Sequence, residues 1–300
     1  MIDFLFCTDF LSTTIDKLHT KIYNKTQKAR KEPHAFRRIR SIQNRSNQSM
    51  DLIKEIDQIP KTAIACYSHI TFERIVAELH AEIIAETSTA NGKKPIYRAR
   101  YKGSELSLFM IDVGAPTSVG MLEDVYQMGV QTVVVFGTCG VLDGSIADCS
   151  IIIPNAAVRD EGTSYHYMPP SDEIRVNQKH MEMLTRLLDK MHVTYTVGKV
   201  WTTDAFYRET VEKVKRRKMQ GCICVDMECS ANAAVAQFRD RNLIQFFYVA
   251  DNLDAEEWDI RSLHNCDKLE EKDRIAAIAL EIALQSERWQ KEGNSDKICL

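Results

Sequence analysis

Four groups of polar and aromatic residues in this sequence have types and spacings suited to chemistry. The first is Gly137-Thr138-Cys139-Gly140, directly after the apolar run Val133-Val134-Val135-Phe136. No bulky side chain there keeps an anion off the backbone. Successive amide N–H groups, with the Thr138 hydroxyl, can face a phosphate or sugar oxygen. The second group is 159–167, with Arg159, Asp160, Glu161 and Gly162 at its head. The third is 202–209, which includes Phe206, Tyr207 and Arg208. The fourth joins Asp226-Met227-Glu228 to Ala250-Asp251-Asn252. Each has a plainer reading beside the chemical one. The 159–167 stretch suits a hydrogen-bonded surface loop, Phe206-Tyr207 suits packing at a helix start, and Asp251-Asn252 suits a cap or turn.

An alternation of strands and helices would hold these groups in place. Short apolar runs at 62–66, 96–101, 106–113, 131–136, 150–153, 194–200, 222–226 and 243–250 predict strands. Helical spacing at 71–86, 117–128, 176–191, 209–219, 229–239 and 268–290 predicts helices; in 71–86 it is carried by Phe72, Ile75, Val76, Leu79, Ile83 and Ile84. Lys102-Gly103-Ser104 reads as a turn between two strands, and Gly137–Gly140 as a turn closing the strand at 136. Strands separated by helices argue an α/β fold: one three-layer α/β/α sandwich around a central mixed, largely parallel sheet. In such folds the site gathers where strands run out into loops, and the four groups do so.

Composition narrows the classes. With 300 residues, 44% hydrophobic and 27% charged, the chain can bury one large core with an appendage. A formal net charge of −3 gives no general attraction to nucleic acid or anionic lipid. The nine Cys are scattered, mostly inside apolar runs, which suits reduced thiols and a cytosolic location. Cys222 and Cys224 have no second Cys/His pair at ligand spacing, so packing is expected and no metal. No run reaches transmembrane length, and the start of the chain lacks a signal-peptide pattern. Residues 1–50 read as a basic, polar extension, 51–290 as the folded domain, and 291–300 as a tail.

Taken in order, the motifs resemble the nucleoside phosphorylase and nucleosidase family. The matching pieces are Gly114-Ala115-Pro116 before a helix with Glu123, Gly137-Thr138-Cys139-Gly140, Arg159-Asp160-Glu161-Gly162, Thr203-Asp204-Ala205-Phe206-Tyr207, Asp226-Met227-Glu228 and Ala250-Asp251-Asn252. The resemblance covers about residues 61–285 and makes 51–290 a catalytic domain. It implies cleavage of an N-glycosidic bond through an oxocarbenium-like transition state, with phosphate as co-substrate and no cofactor. Glu228 matches the glutamate that holds the ribose hydroxyls, where a carboxylate also favours the developing positive charge. Met227 would pack on the sugar, and Phe206 would stack on the base. Asp251 matches the acid that serves N7 of a purine, and Arg261 the arginine that pairs with it. Asp226, Gly137, Thr138, Arg159 and Arg208 complete the candidate substrate contacts.

The resemblance further implies a homo-oligomer, a dimer or a hexamer built from dimers. Two departures bear on the reaction. Val135 stands where phosphorolytic members carry an arginine, and Cys66-Tyr67-Ser68-His69-Ile70 replaces their phosphate loop. Arg98, Arg100, Arg159 or Arg208 are the candidates to compensate. The expected function is therefore phosphorolysis of a purine nucleoside, with uridine second. The alternatives are hydrolysis by the same pocket, or nucleoside binding without catalysis.

Overall fold

A computed structural model describes residues 56–89, 92–264 and 266–295. The expected extension at 1–50 lies outside the described residues. Ten strands and six helices follow in the order β1 (Thr62–Cys66), α1 (His69–Glu78), β2 (Glu82–Thr89), β3 (Gly92–Tyr101), β4 (Ser104–Met110), α2 (Ala115–Met128), β5 (Thr132–Val141), β6 (Ile151–Asp160), β7 (Glu173–Arg175), α3 (Met181–Lys190), β8 (Tyr195–Thr203), α4 (Val211–Met219), β9 (Cys222–Asp226), α5 (Cys229–Phe238), β10 (Asn242–Asn252) and α6 (Leu269–Ser295).

The strands form one mixed sheet, with helices on both faces. Its long central ladders, β5 with β10 and β6 with β8, are parallel. Side chains alternate across the pleat. Val133 and Val135 point to the layer of α2 and α5, while Val134 and Phe136 point to that of α1, α3 and α6. This is why the run at 133–136 is apolar throughout instead of alternating. Phe136 stacks on Phe246 with ring centroids 5.4 Å apart, which ties β5 to β10; such a pair contributes about 0.5–1.5 kcal/mol beyond burial. Pairings of β10 with both β5 and β6, and of β9 with both β5 and β8, curl this half of the sheet into a closed ring.

Three expectations are corrected. The helix expected over 71–86 ends at Glu78, and Glu82–Thr89 is the edge strand β2. His80, with φ +46°, breaks the helix. Glu82-Ile83-Ile84-Ala85 satisfies either period, and pairing with β3 decides for the strand. The helix expected from 176 starts at Met181, because Asn177 takes φ +53° and its amide bonds to the backbone of Pro154 and Gln245. Gly137–Gly140 is no turn: β5 continues through it to Val141. The turn at 102–103 does form, with Lys102 and Gly103 both at positive φ between paired Tyr101 and Ser104.

Candidate active site

The C-terminal ends of β5, β9 and β10 meet at one side of the sheet. The register of β5 on β10 sets Gly137 beside Phe247 and Gly140 beside Asp251, with an irregularity between Val249 and Asp251 that re-aims the Asp251 side chain. Both glycines are needed for space. A Cβ on Gly137 would lie 2.7 Å from the Tyr67 ring. One on Gly140 would collide with Leu253 and stand 3.1 and 3.2 Å from the two Asp251 carboxyl oxygens. Thr138, between them, is exposed at the cleft wall.

Asp226, the last residue of β9, anchors the loop that carries Glu228. Its Oδ2 accepts from the amides of Glu228 (2.9 Å) and Cys229 (2.6 Å), and its Oδ1 accepts from the Thr202 hydroxyl (2.7 Å). The carboxylate thereby caps α5, at the positive end of the helix. Burial raises its pKa, but only to about 6, because these hydrogen bonds oppose it. Its oxygens are engaged by the fold, so the expectation that Asp226 binds substrate gives way to an anchoring role. Glu228, 6% exposed, accepts from the Gly114 amide. Burial, then the Asp226 charge, push its carboxyl up to about 8, against the amides of Gly114 and Met227. Gly114 reaches it because it adopts φ +98° just before α2.

Asp251 is held by an unexpected partner. The Trp258 indole donates to its Oδ2 at 2.8 Å. Burial raises the Asp251 pKa, opposed by this bond and by the Arg261 charge. Arg261 does not pair with it directly. Its guanidinium donates to the carbonyls of Ile146 and Gly144 and to Asp259. Arg261 itself sits at φ +42°, and the bonds between Asn252 and Asp259 fold the intervening loop back on itself. Burial and the nearby Asp251 charge raise Glu209, also in the cleft wall, to about 7.

These ends enclose a cleft of about 1180 Å³ that Thr138, Phe206, Asp226, Met227, Glu228 and Asp251 all line. Phe206 is 48% exposed and Tyr207 89%, their rings in contact at 4.1 Å, so packing into the core does not explain them. Tyr67, Glu209 and Trp258 also line it, with no role expected of them from the sequence. For Tyr67 the signal was its position right after β1, where the phosphate loop is replaced. Its hydroxyl shares a hydrogen-bond network with Ser118 (2.8 Å) and Asn232 (2.9 Å) that binds the floor to α2 and α5.

The arginines lie elsewhere. Arg159 is buried and makes four hydrogen bonds, to Ser164, Ser171 and the carbonyls of Met168 and Pro169, with the Tyr165 ring stacked at 4.1 Å. It holds the 159–171 loop together, so its expected role in phosphate binding is corrected. Arg208 is exposed at the end of a short 3-10 turn and does not line the cleft. Arg98 and Arg100 pair with Glu105 within the β3–β4 hairpin. Among the described residues the cations at the cleft are Lys215 and Lys218 of α4, and Lys218 contacts Asp254.

Residues 62–283 match the family model of the phosphorylase superfamily, and the chain belongs to that superfamily. It is 25% identical over 157 residues to a guanosine phosphorylase of Halorubrum lacusprofundi, a match covering 52% of this chain and 64% of that protein. It is 27% identical over 163 residues to a DeoD-type purine nucleoside phosphorylase of Bacillus cereus, covering 52% of this chain and 68% of that one. The fold is that of uridine phosphorylase from Vibrio fischeri: TM-score 0.66 and 24% identity, covering 81% of this chain and 99% of that chain. Among the described residues, no helix is long and apolar enough to cross a membrane.

Proposed function

We propose that this protein is a nucleoside phosphorylase acting on a purine nucleoside, releasing the base and ribose 1-phosphate. The observation that carries the reading is that Glu228, Asp251 and Phe206, contributed by three separate segments, line one cleft. In this reading Glu228 takes the ribose 2′- and 3′-hydroxyls and Met227 packs on the sugar. Phe206 stacks on the base, and Asp251 serves N7. Phosphate enters beside Thr138, whose hydroxyl is free to donate. The similarity to a guanosine phosphorylase and to purine nucleoside phosphorylases supports a purine over uridine. Assembly into a homo-oligomer, with a neighbour completing the phosphate site, belongs to the same proposal.

Hydrolysis is the second reading, favoured by one observation: among the described residues no arginine lines the cleft. A dianion without an arginine forgoes bidentate, charge-assisted bonds, each worth about 1.5–3 kcal/mol. A panel of nucleosides incubated with the phosphate-free protein, with and without added phosphate, separates the two. Phosphorolysis predicts purine release and ribose 1-phosphate only when phosphate is present. Release of free ribose at an equal rate without phosphate would establish hydrolysis instead.

The Gly140→Ala variant tests how closely Asp251 is held. The added methyl meets the flexible ends of Leu253 and Asp251, which can move aside, so the fold should lose only about 1–2 kcal/mol. Turnover should fall further, on the order of 10²-fold, because the acid is displaced by about an ångström. Melting temperature and kcat measured on the same preparation check both; a fully active variant would detach Asp251's position from the chemistry.

A further inference from the structure

Glu209 stands in the cleft wall with its carboxyl unclaimed. It caps the short 3-10 turn Phe206–Arg208, and its amide donates to the Phe206 carbonyl at 3.2 Å. Its side chain is half-buried, yet among the described residues it makes no hydrogen bond and no ion pair. The acids around it differ: Asp226, Glu228, Asp251 and Asp254 each accept a hydrogen bond from the fold. The charges that act on Glu209 are Asp251, near the end of β10, and Lys213 of α4, which is drawn toward Asp160 at 3.8 Å. The other charged groups of this wall are Lys215, Glu256 and Lys218, which contacts Asp254. Removing a carboxyl from water without a partner costs free energy, and a ligand group placed against it would offset that cost.

The neighbours of Glu209 define what it would meet. Phe206, at the head of its turn, is the ring proposed to stack on the base, and Asp251 is the acid proposed to serve N7. On a purine, N7 and the substituent at carbon 6 share one edge. Adenine shows there an acceptor and an amino donor, and guanine shows two acceptors. With N7 on Asp251, the carboxyl beside it faces the carbon-6 group. As a carboxylate, Glu209 accepts from a 6-amino group; as an acid, it donates to a 6-oxo group. Burial and the Asp251 charge, opposed by Lys213, hold it at about 7, so both forms are populated near neutrality.

We infer that Glu209 is a specificity residue of the cleft, contacting the carbon-6 substituent of the base beside N7. The inference rests on the purine reading of the site. It makes the choice between 6-oxo and 6-amino purines depend on one proton. The protonated cleft favours the oxo base. The ionised cleft favours the amino base and sets lone pair against lone pair for the other.

The test is calorimetric titration of the full-length protein with free hypoxanthine and free adenine, one pH unit to either side of about 7. These bases differ in the carbon-6 group and the N1 proton that goes with it. A titration that affects both alike, such as that of Asp251 at N7, cancels in the ratio of their dissociation constants. That ratio should move toward adenine by about tenfold or more from the acid to the alkaline arm, as one base loses a hydrogen bond and the other gains a charge-assisted one. Glu209→Gln, whose amide both donates and accepts at either pH, should hold the ratio constant. A wild-type ratio that pH does not move would overturn the inference and leave the purine site standing, as would a ratio that moves equally in a folded Glu209→Gln protein. Bases that bind with the expected shift, beside a nucleoside panel with no base release, would overturn the reaction and keep the role of Glu209. Failure of both bases to bind would overturn the purine reading and this inference with it.

Discussion

Replacing Asp251 with Asn is expected to slow purine nucleoside cleavage roughly 10²–10⁴-fold, the range contributed by a positioned general acid, with a much smaller change in KM. The purine gains electron density as the glycosidic bond breaks, so a proton offered at N7 is worth far more in the transition state than in the bound substrate. The surroundings of Asp251 suit this. Burial raises its pKa, and Gly140 leaves room for its carboxyl. Asparagine keeps the shape and can still accept from the Trp258 indole, but it supplies no proton. Steady-state kinetics on one good purine substrate decide the point. An unchanged kcat would remove Asp251 from the mechanism, whatever its place in the cleft.

The second large effect belongs to Glu228→Gln. A carboxylate beside a ribose that is becoming cationic stabilises that charge directly, and the neutral amide does not. kcat/KM should fall about 10²–10³-fold. The empty site adds a pH signature. Glu228 is shifted from 4.5 to about 8, so the free enzyme must shed that proton to present a carboxylate. kcat/KM for the wild type should climb as pH rises through about 8, and the Gln variant should lack that limb.

Stability should move the opposite way. The unfolded chain releases this proton near 4.5 while the fold retains it to about 8, so the folded state binds more protons between those values. This group's contribution to stability is complete below the lower value and declines as pH rises through the window. Glu228→Gln should flatten the decline, leaving a variant more resistant to urea than wild type on the alkaline side and poorer in turnover. Urea melts at the two ends of the window measure it. Identical pH dependence in both proteins would mean that Glu228 is already ionised in the empty cleft.

Much of this arrangement is legible in the residues themselves. The strands at 62–66 and 222–226 coincide with β1 and β9, because each is a short run, buried throughout in β1 and at all but Ile223 in β9. The aromatic pair at 206–207 and the acids at 228 and 251 meet in one cleft, although twenty or more residues separate each from the next along the chain. Local pattern could not decide the fate of Gly137–Gly140. The same small residues that suit a turn also let a strand pass under Tyr67 and beside Asp251. Arg159 and Arg261 are misleading for a related reason. An arginine near a site is as readily spent on backbone carbonyls of its own loop as on a ligand, and only tertiary structure reveals which. Trp258 belongs to no motif, and Glu209 only closes the 202–209 group with no role of its own. Their place beside Asp251 follows from how the 252–259 loop and the start of α4 fold over the ends of the strands.

The claim on which the rest depends is that one bound nucleoside touches both acids at once. A crystal structure with a purine C-nucleoside, which has no N-glycosidic bond to break, addresses it most directly. The account predicts the ribose 2′- and 3′-hydroxyls on the Glu228 carboxylate, the base against Phe206, and N7 within hydrogen-bond reach of Asp251. A ligand bound in the cleft with its sugar turned away from Glu228, or with N7 far from Asp251, would contradict it.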